Sequence, residues 1–130
     1  MTQSNAELLR SGYEGFASGD VAAVFAIFAE DVAFHIPGHS PISGDYTGHE
    51  EVGGFFQSLG ERSNGTFKID VQDILDNGDD TVVALVTHVA RREADELAMP
   101  AVHVWQVKDG KAISHQSFVA DDHESDAFWS

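Results

Sequence analysis

Thr81–Arg91 (TVVALVTHVAR), Met99–Val107 (MPAVHVWQV) and Ala112–Val119 (AISHQSFV) decide the fold, because all three runs are rich in β-branched and aromatic residues. Such residues suit a pleated, half-buried surface, so each run reads as a strand. Lys108-Asp109-Gly110 joins the last two as a tight hairpin turn. Asp76-Asn77-Gly78-Asp79 turns the chain into the first, and before it Phe67, Ile69 and Val71 alternate with polar residues as a strand does. Sequential strands linked by tight turns predict an antiparallel meander.

The N-terminal half has a different period. Ser4-Asn5-Ala6-Glu7 matches a capping box, and Leu9, Tyr13, Phe16 and Ala17 recur at helical spacing, which predicts a helix over 5–17. Ser18-Gly19-Asp20 ends it and caps a second, buried helix over 21–29. Residues 32–36 read as a short strand stopped by Pro37-Gly38, and 43–48 as a turn-rich stretch. A third helix starts near His49, with Val52, Phe55, Phe56 and Leu59 on its apolar face. Helices first and strands afterwards is the α+β pattern, with three helices packed over one face of a curved sheet. One domain over 1–130, without linker or repeat, is the expectation.

Composition narrows the function. Acidic residues number 22 against 7 basic ones, a formal net charge of -15, which disfavours nucleic acid and anionic membranes as partners. There is no cysteine, so disulfides, thiolate metal sites and a cysteine nucleophile are excluded. No segment approaches the roughly 20 apolar residues of a membrane span, and no leader precedes the first helix, so a cytoplasmic location is expected.

The 7 histidines carry the most chemical information, because imidazole titrates near neutral pH. Alternation along the strands places Ala101, His103, Trp105 and Val107 on one face, and Ile113, His115, Ser117 and Val119 on one face of the next strand. His103, His115 and Ser117 are thereby brought toward a common space. A single strand histidine is ordinarily a packed or surface residue, and His88 and His115 also read as solvent-facing. His39, His49 and His123 receive no role. Neither HxH nor HExxH spacing occurs, and no metal site is expected; GxGxxG, the phosphate-loop ending and GxSxG are also missing.

Ser18-Gly19-Asp20, the run from Glu30-Asp31-Val32 to Pro37-Gly38, Gly48-His49-Glu50, the Val104–Lys111 hairpin and the tail Asp126-Ala127-Phe128-Trp129 follow a familiar order. Across nearly its full length the chain resembles the ketosteroid isomerase-like, or SnoaL-like, branch of the nuclear transport factor 2 superfamily. The resemblance implies the cone-shaped NTF2-like (cystatin-like) fold, with an apolar pocket inside. By its register, His35 stands where ketosteroid isomerases place their general-base Asp, and His103 where they place an oxyanion-stabilising Asp. Their helix-one Tyr falls at Gly12, next to Tyr13. Polyketide cyclases of the SnoaL type carry a catalytic Asp where this chain has Ser117, and their supporting His matches His103. The Asp-Arg-Asp set of the related epoxide hydrolases finds no matching arginine.

The expected function is movement of a proton next to a carbonyl, by an isomerase, cyclase or dehydratase type of reaction, on a hydrophobic cyclic substrate. His35 is the expected base and His103 the group that polarises the carbonyl, with Tyr13, His115 and Ser117 as auxiliaries. Phe16, Phe34, Phe56, Trp105 and Trp129 are the expected walls. No cofactor is called for, and a homodimer through the outer sheet face is expected by resemblance. The alternative is a non-catalytic small-molecule binding or interaction module of the same fold, since the carboxylates of the related enzymes are replaced at His35, His103 and Ser117.

Overall fold

Ser4 opens the first helix as its sequence predicts: its hydroxyl accepts from the Glu7 N–H at 3.1 Å, and the Glu7 carboxylate accepts from the Ser4 N–H at 3.4 Å. In the computed structural model, which describes residues 3–130, this helix is α1 (Asn5–Ser18). Gly19 ends it at φ 77°, a left-handed conformation that costs glycine little, and Asp20 caps the next helix by accepting from the Ala23 N–H. The remaining elements are α2 (Val21–Ala26), β1 (Phe28–Ile36), β2 (Gly44–Thr47), α3 (Gly48–Arg62), β3 (Lys68–Asp76), β4 (Thr81–Arg92), β5 (Asp95–Lys108), β6 (Lys111–Val119) and α4 (Asp122–Trp129).

The six strands form one sheet in the order β2-β1-β6-β5-β4-β3. From β3 to β6 it is the expected antiparallel meander, but β1 pairs parallel with β6, so the sheet is mixed. The physical reason is the long return through α3 and β3–β5, which lets the last strand run beside the first in the same direction. Helix α1 packs on β3 and β4, and α3 on β1 and β2, so both lie over one face of the sheet. Leu9, Val32, Val52, Val82, Ala84, Met99 and Ala112 are almost completely buried between these layers.

Several boundaries differ from the sequence expectation. Helix α2 stops at Ala26 rather than Ala29 and β1 begins at Phe28 rather than Val32, because this backbone is claimed by β6: Ala112 N–H donates to Ile27 O, and Lys111 donates to Ala26 O. Part of the stretch read as turns is β2, which pairs antiparallel with β1. The C-terminal stretch, for which no helix was expected, folds into α4, where the Asp121 carboxylate accepts from the Glu124 N–H as an N-cap. A register shift where Val107 pairs with Ala112 and Gln106 with Ser114 leaves Ile113 outside the ladder. Ile113 therefore turns outward and is 37% exposed, whereas the expectation placed it on the face of His115. No helix among the described residues is long and apolar enough to cross a membrane.

Helix α4 is fastened by the buried side chains of Phe128 and Trp129 and by polar groups. Arg92 donates to the carbonyls of Phe128 and Ser130, and the Asp126 carboxylate accepts from the His39 N–H at 3.0 Å. Gly38, at φ 94°, lies so close to Asp126 that a Cβ would overlap its carboxylate. Gly38→Ala is expected to lower the unfolding free energy by about 2 kcal/mol in urea titrations. Gly54→Ala, at a helical position with open space beside it, is expected to raise it by up to about 1 kcal/mol.

Candidate active site

Strand alternation turns one set of side chains from each of β1, β4, β5 and β6 into the space under α1 and α3. His103 pairs with Ser117 across β5 and β6, and Trp105 pairs with His115, so the two strands deliver these four side chains side by side. Phe34 on β1 is in register with His115, and their rings stack at 4.4 Å. Opposite them, α1 contributes Tyr13 and Phe16, and α3 contributes Phe55 and Phe56. Gly12 allows this approach, since a Cβ there would meet the Ile27 side chain at 2.5 Å. The enclosed space is a cavity of about 90 Å³, walled chiefly by apolar and aromatic groups.

The expected wall residues Phe16, Phe34, Phe56, Trp105 and Trp129 all line this cavity, together with Tyr13, His103, His115 and Ser117. His35 does not. Phe34 and Ile36 are its inward-facing neighbours, so His35 points from the opposite face of β1, where its Nδ1 lies 2.6 Å from Asp45 Oδ1. Both side chains of that pair are in water, 51% and 80% exposed. The register that placed His35 in the pocket is off by one residue, and in a strand one residue exchanges the faces.

His88 takes up the inward position that His35 leaves. It was also read as solvent-facing, yet it lines the cavity in the same phase of β4 as Ala84 and Val86. That phase was hard to read because β4 is apolar on both faces. His115 is likewise buried rather than solvent-facing. Phe67 on the approach to β3 and Ser125 on α4 are further lining residues that the sequence did not single out.

Polar atoms in this apolar space bond to one another. Trp105 Nε1–H donates to Tyr13 Oη at 2.9 Å, Tyr13 Oη lies 2.6 Å from His103 Nδ1, and His103 Nε2 lies 2.8 Å from His88 Nε2. Four side chains from α1, β4 and β5 thus make one continuous line. Both ring nitrogens of His103 are occupied, so it communicates with the cavity through its two neighbours. His115 stands beside the line, 4.7 Å from His103 between ring centres, and its buried Nδ1 has no hydrogen-bond partner.

Burial sets the protonation state. Loss of water disfavours the charged imidazole and pushes His88 down to about 4. His115 is pushed to about 3 by burial and then by repulsion from His88, and His103 well below its ordinary value by burial and by both neighbouring imidazoles. Burial also raises the Tyr13 phenol above its ordinary range, opposed by the Trp105 hydrogen bond. Near neutral pH the line is therefore uncharged throughout. Among the described residues no group of three or more His, Asp or Glu is arranged to hold a metal ion. His88 and His103 point nitrogen at nitrogen across a hydrogen bond.

A family model described as the SnoaL-like domain matches residues 9–115. The chain belongs to the SnoaL-like domain family. Solved structures agree with this SnoaL-like assignment over almost the whole chain. Bal32a, from a soil-derived mobile gene cassette, is 32% identical with a TM-score of 0.93, covering 97% of this chain and 96% of its own. A protein from Xanthomonas campestris with a cystatin-like fold is 29% identical with a TM-score of 0.92, covering 98% and 99%. An NTF2-like protein from Burkholderia pseudomallei, at 22% identity and a TM-score of 0.84 over 99% of both chains, shares the fold. The cone-shaped NTF2-like architecture expected from the sequence is the one observed.

Neutral buried histidines make stability depend on pH in a definite direction. An unfolded imidazole takes up a proton near 6.5, whereas folded His88 does so only near 4. Between those values the unfolded chain binds more protons, so folding weakens as the pH falls. Thermal unfolding followed from about pH 7 to about pH 4.5 is expected to show a falling midpoint, with a shallower fall in His88→Gln. Equal slopes in the two proteins would contradict a buried, neutral His88.

Proposed function

We propose that this SnoaL-like domain is a cofactor-independent enzyme that moves a proton next to a carbonyl on a hydrophobic, cyclic small molecule. The observation that carries the proposal is the uncharged line Trp105–Tyr13–His103–His88 inside an otherwise apolar cavity. A carbonyl oxygen placed at Tyr13 would accept from its hydroxyl. As the α-proton leaves and charge grows on that oxygen, a phenol already paired with Trp105 and His103 is preorganised to stabilise it without solvent rearrangement. His103 then acts by supporting Tyr13 rather than by touching the carbonyl, a revision of the role expected for it. His115, which lines the cavity outside the hydrogen-bonded line, is the imidazole assigned to receive the α-proton. The aromatic walls suit a flat or cyclic ligand, and Ser117 is a further hydroxyl beside His103.

A second reading has its own support. No Asp or Glu lines the cavity, and imidazoles held at about 3 and about 4 are weak bases, which favours a non-catalytic binder of the same class of ligand. Hydrogen–deuterium exchange at the α-carbon of a bound cyclic ketone, followed by NMR in D₂O, separates the two. The enzyme reading predicts exchange well above the buffer rate, reduced about a hundredfold in Tyr13→Phe and unchanged in His35→Ala. Saturable binding with exchange at the buffer rate would refute catalysis and leave the binder.

The outer sheet face suits a second copy of the chain. Leu85, Val102 and Phe118 lie in one row across β4, β5 and β6, and Leu85 and Phe118 are 37% and 48% exposed. A face so apolar favours a partner. Sedimentation at micromolar concentration is expected to show a dimer that Phe118→Asp disrupts, and a wild-type monomer would dismiss it.

A further inference from the structure

The donor and acceptor count along the buried line constrains the ligand more tightly than the cavity's shape does. Trp105 Nε1 can only donate, so Tyr13 Oη accepts from it. A neutral imidazole carries one N–H and one bare nitrogen, and His103 and His88 face each other through their Nε2 atoms. Only two proton arrangements then satisfy every bond. In the first, the Tyr13 hydroxyl donates to His103 Nδ1, His103 Nε2–H donates to His88 Nε2, and His88 keeps its proton on Nδ1. In the second, every proton is displaced one step. His88 Nε2–H donates to His103 Nε2, His103 Nδ1–H donates to Tyr13 Oη, and the Tyr13 hydroxyl hydrogen is free for a ligand while His88 Nδ1 is bare.

The two ends of the line are therefore opposite in sense. When Tyr13 offers a proton to the cavity, His88 Nδ1 can only accept one. When Tyr13 Oη can only accept, His88 Nδ1 donates. We infer that the site takes a hydroxy-carbonyl compound, with its carbonyl oxygen at Tyr13 and a hydroxyl at His88, and that the line carries a proton between them.

The transfer balances without a co-reactant. The ligand O–H bond breaks and its proton joins His88 Nδ1. The His88 Nε2 proton passes to His103 Nε2, the His103 Nδ1 proton passes to Tyr13 Oη, and the Tyr13 hydroxyl proton forms a new O–H bond at the former carbonyl oxygen. If the ligand is conjugated between the two oxygens, the electron pair left at one end moves through it to the other. The product is the tautomer of the substrate. The line ends in the first arrangement and is reset by the reverse shift or by exchange with solvent. His88 is thus a second substrate-contacting residue, at the far end from Tyr13.

This inference deepens the proton-transfer reading and rests on it for the chemistry, but its test uses binding and proton position alone, so either can fail without the other. Nitrogen-15 NMR of the imidazoles in the ligand-free protein comes first. His88 and His103 are expected in paired states, one with its proton on Nε2 and the other on Nδ1. Both protonated at Nε2, or both bare there, would overturn the line. Three probes follow: 1-tetralone, 2-naphthol and 6-hydroxy-1-tetralone. The hydroxyketone is expected to bind about tenfold more tightly than either single-function probe and to place the proton of His103 on Nδ1. His88→Leu should cut the hydroxyketone's advantage over 1-tetralone, both measured in the same variant, to less than about twofold, and His88→Phe serves if the leucine variant does not fold. Failure of the hydroxyketone to bind, or equal preference in wild type and variant, would overturn the ligand class.

Discussion

Polar groups sealed in an apolar cavity must satisfy one another, and most of this molecule's organisation follows from that requirement. The Tyr13–His103 bond ties the first helix to the fifth strand, and the His103–His88 bond ties that strand to the fourth. Leaving either imidazole alone in such surroundings would cost about 1–3 kcal/mol for the unmade bond. Continued through Tyr13 and Trp105, the same bonds hold the cavity's polar side in fixed geometry. His115 Nδ1 is the exception, a buried atom without a protein partner. An unmet bond of this kind is expected where a ligand or the chemistry supplies the missing group.

Desolvation gives the site its electrical character. With 22 acidic residues on the chain, a carboxylate inside would have been easy to supply, yet the cavity wall has none. No carboxylate or Lys or Arg side chain among the described residues lines the cavity, and the His35–Asp45 pair lies outside it. A neutral interior favours an uncharged ligand, since an ion would lose its hydration without a fixed counter-charge to replace it. The family assignment fits a small-molecule pocket, and the particular chemistry rests on these side chains rather than on the fold.

The meander was legible because β-branched residues and Asp-Asn-Gly or Lys-Asp-Gly turns mark strands and their reversals clearly, and Ser4 and Glu7 marked the first helix. The face shared by His103, His115 and Ser117 was legible for the same reason, since alternation is a local property. His35 was misplaced because its position came from register against related enzymes, and β1 begins earlier than its apolar run suggests. His88 was missed because β4 is apolar on both faces and offers no phase to read. The parallel pairing of β1 with β6 depends on contacts far apart in sequence. Helix α4 was not among the three expected helices, although Asp121 with Glu124 three residues later was a readable cap signal.

A crystal structure of the protein with a bound cyclic ketone tests the central claim most directly. The account predicts the ligand ring among Phe16, Phe56 and Trp105, with its oxygen within hydrogen-bond reach of the Tyr13 hydroxyl. A ketone seated instead on the outer face beside His35 and Asp45, with the Tyr13–His103–His88 line untouched, would contradict it.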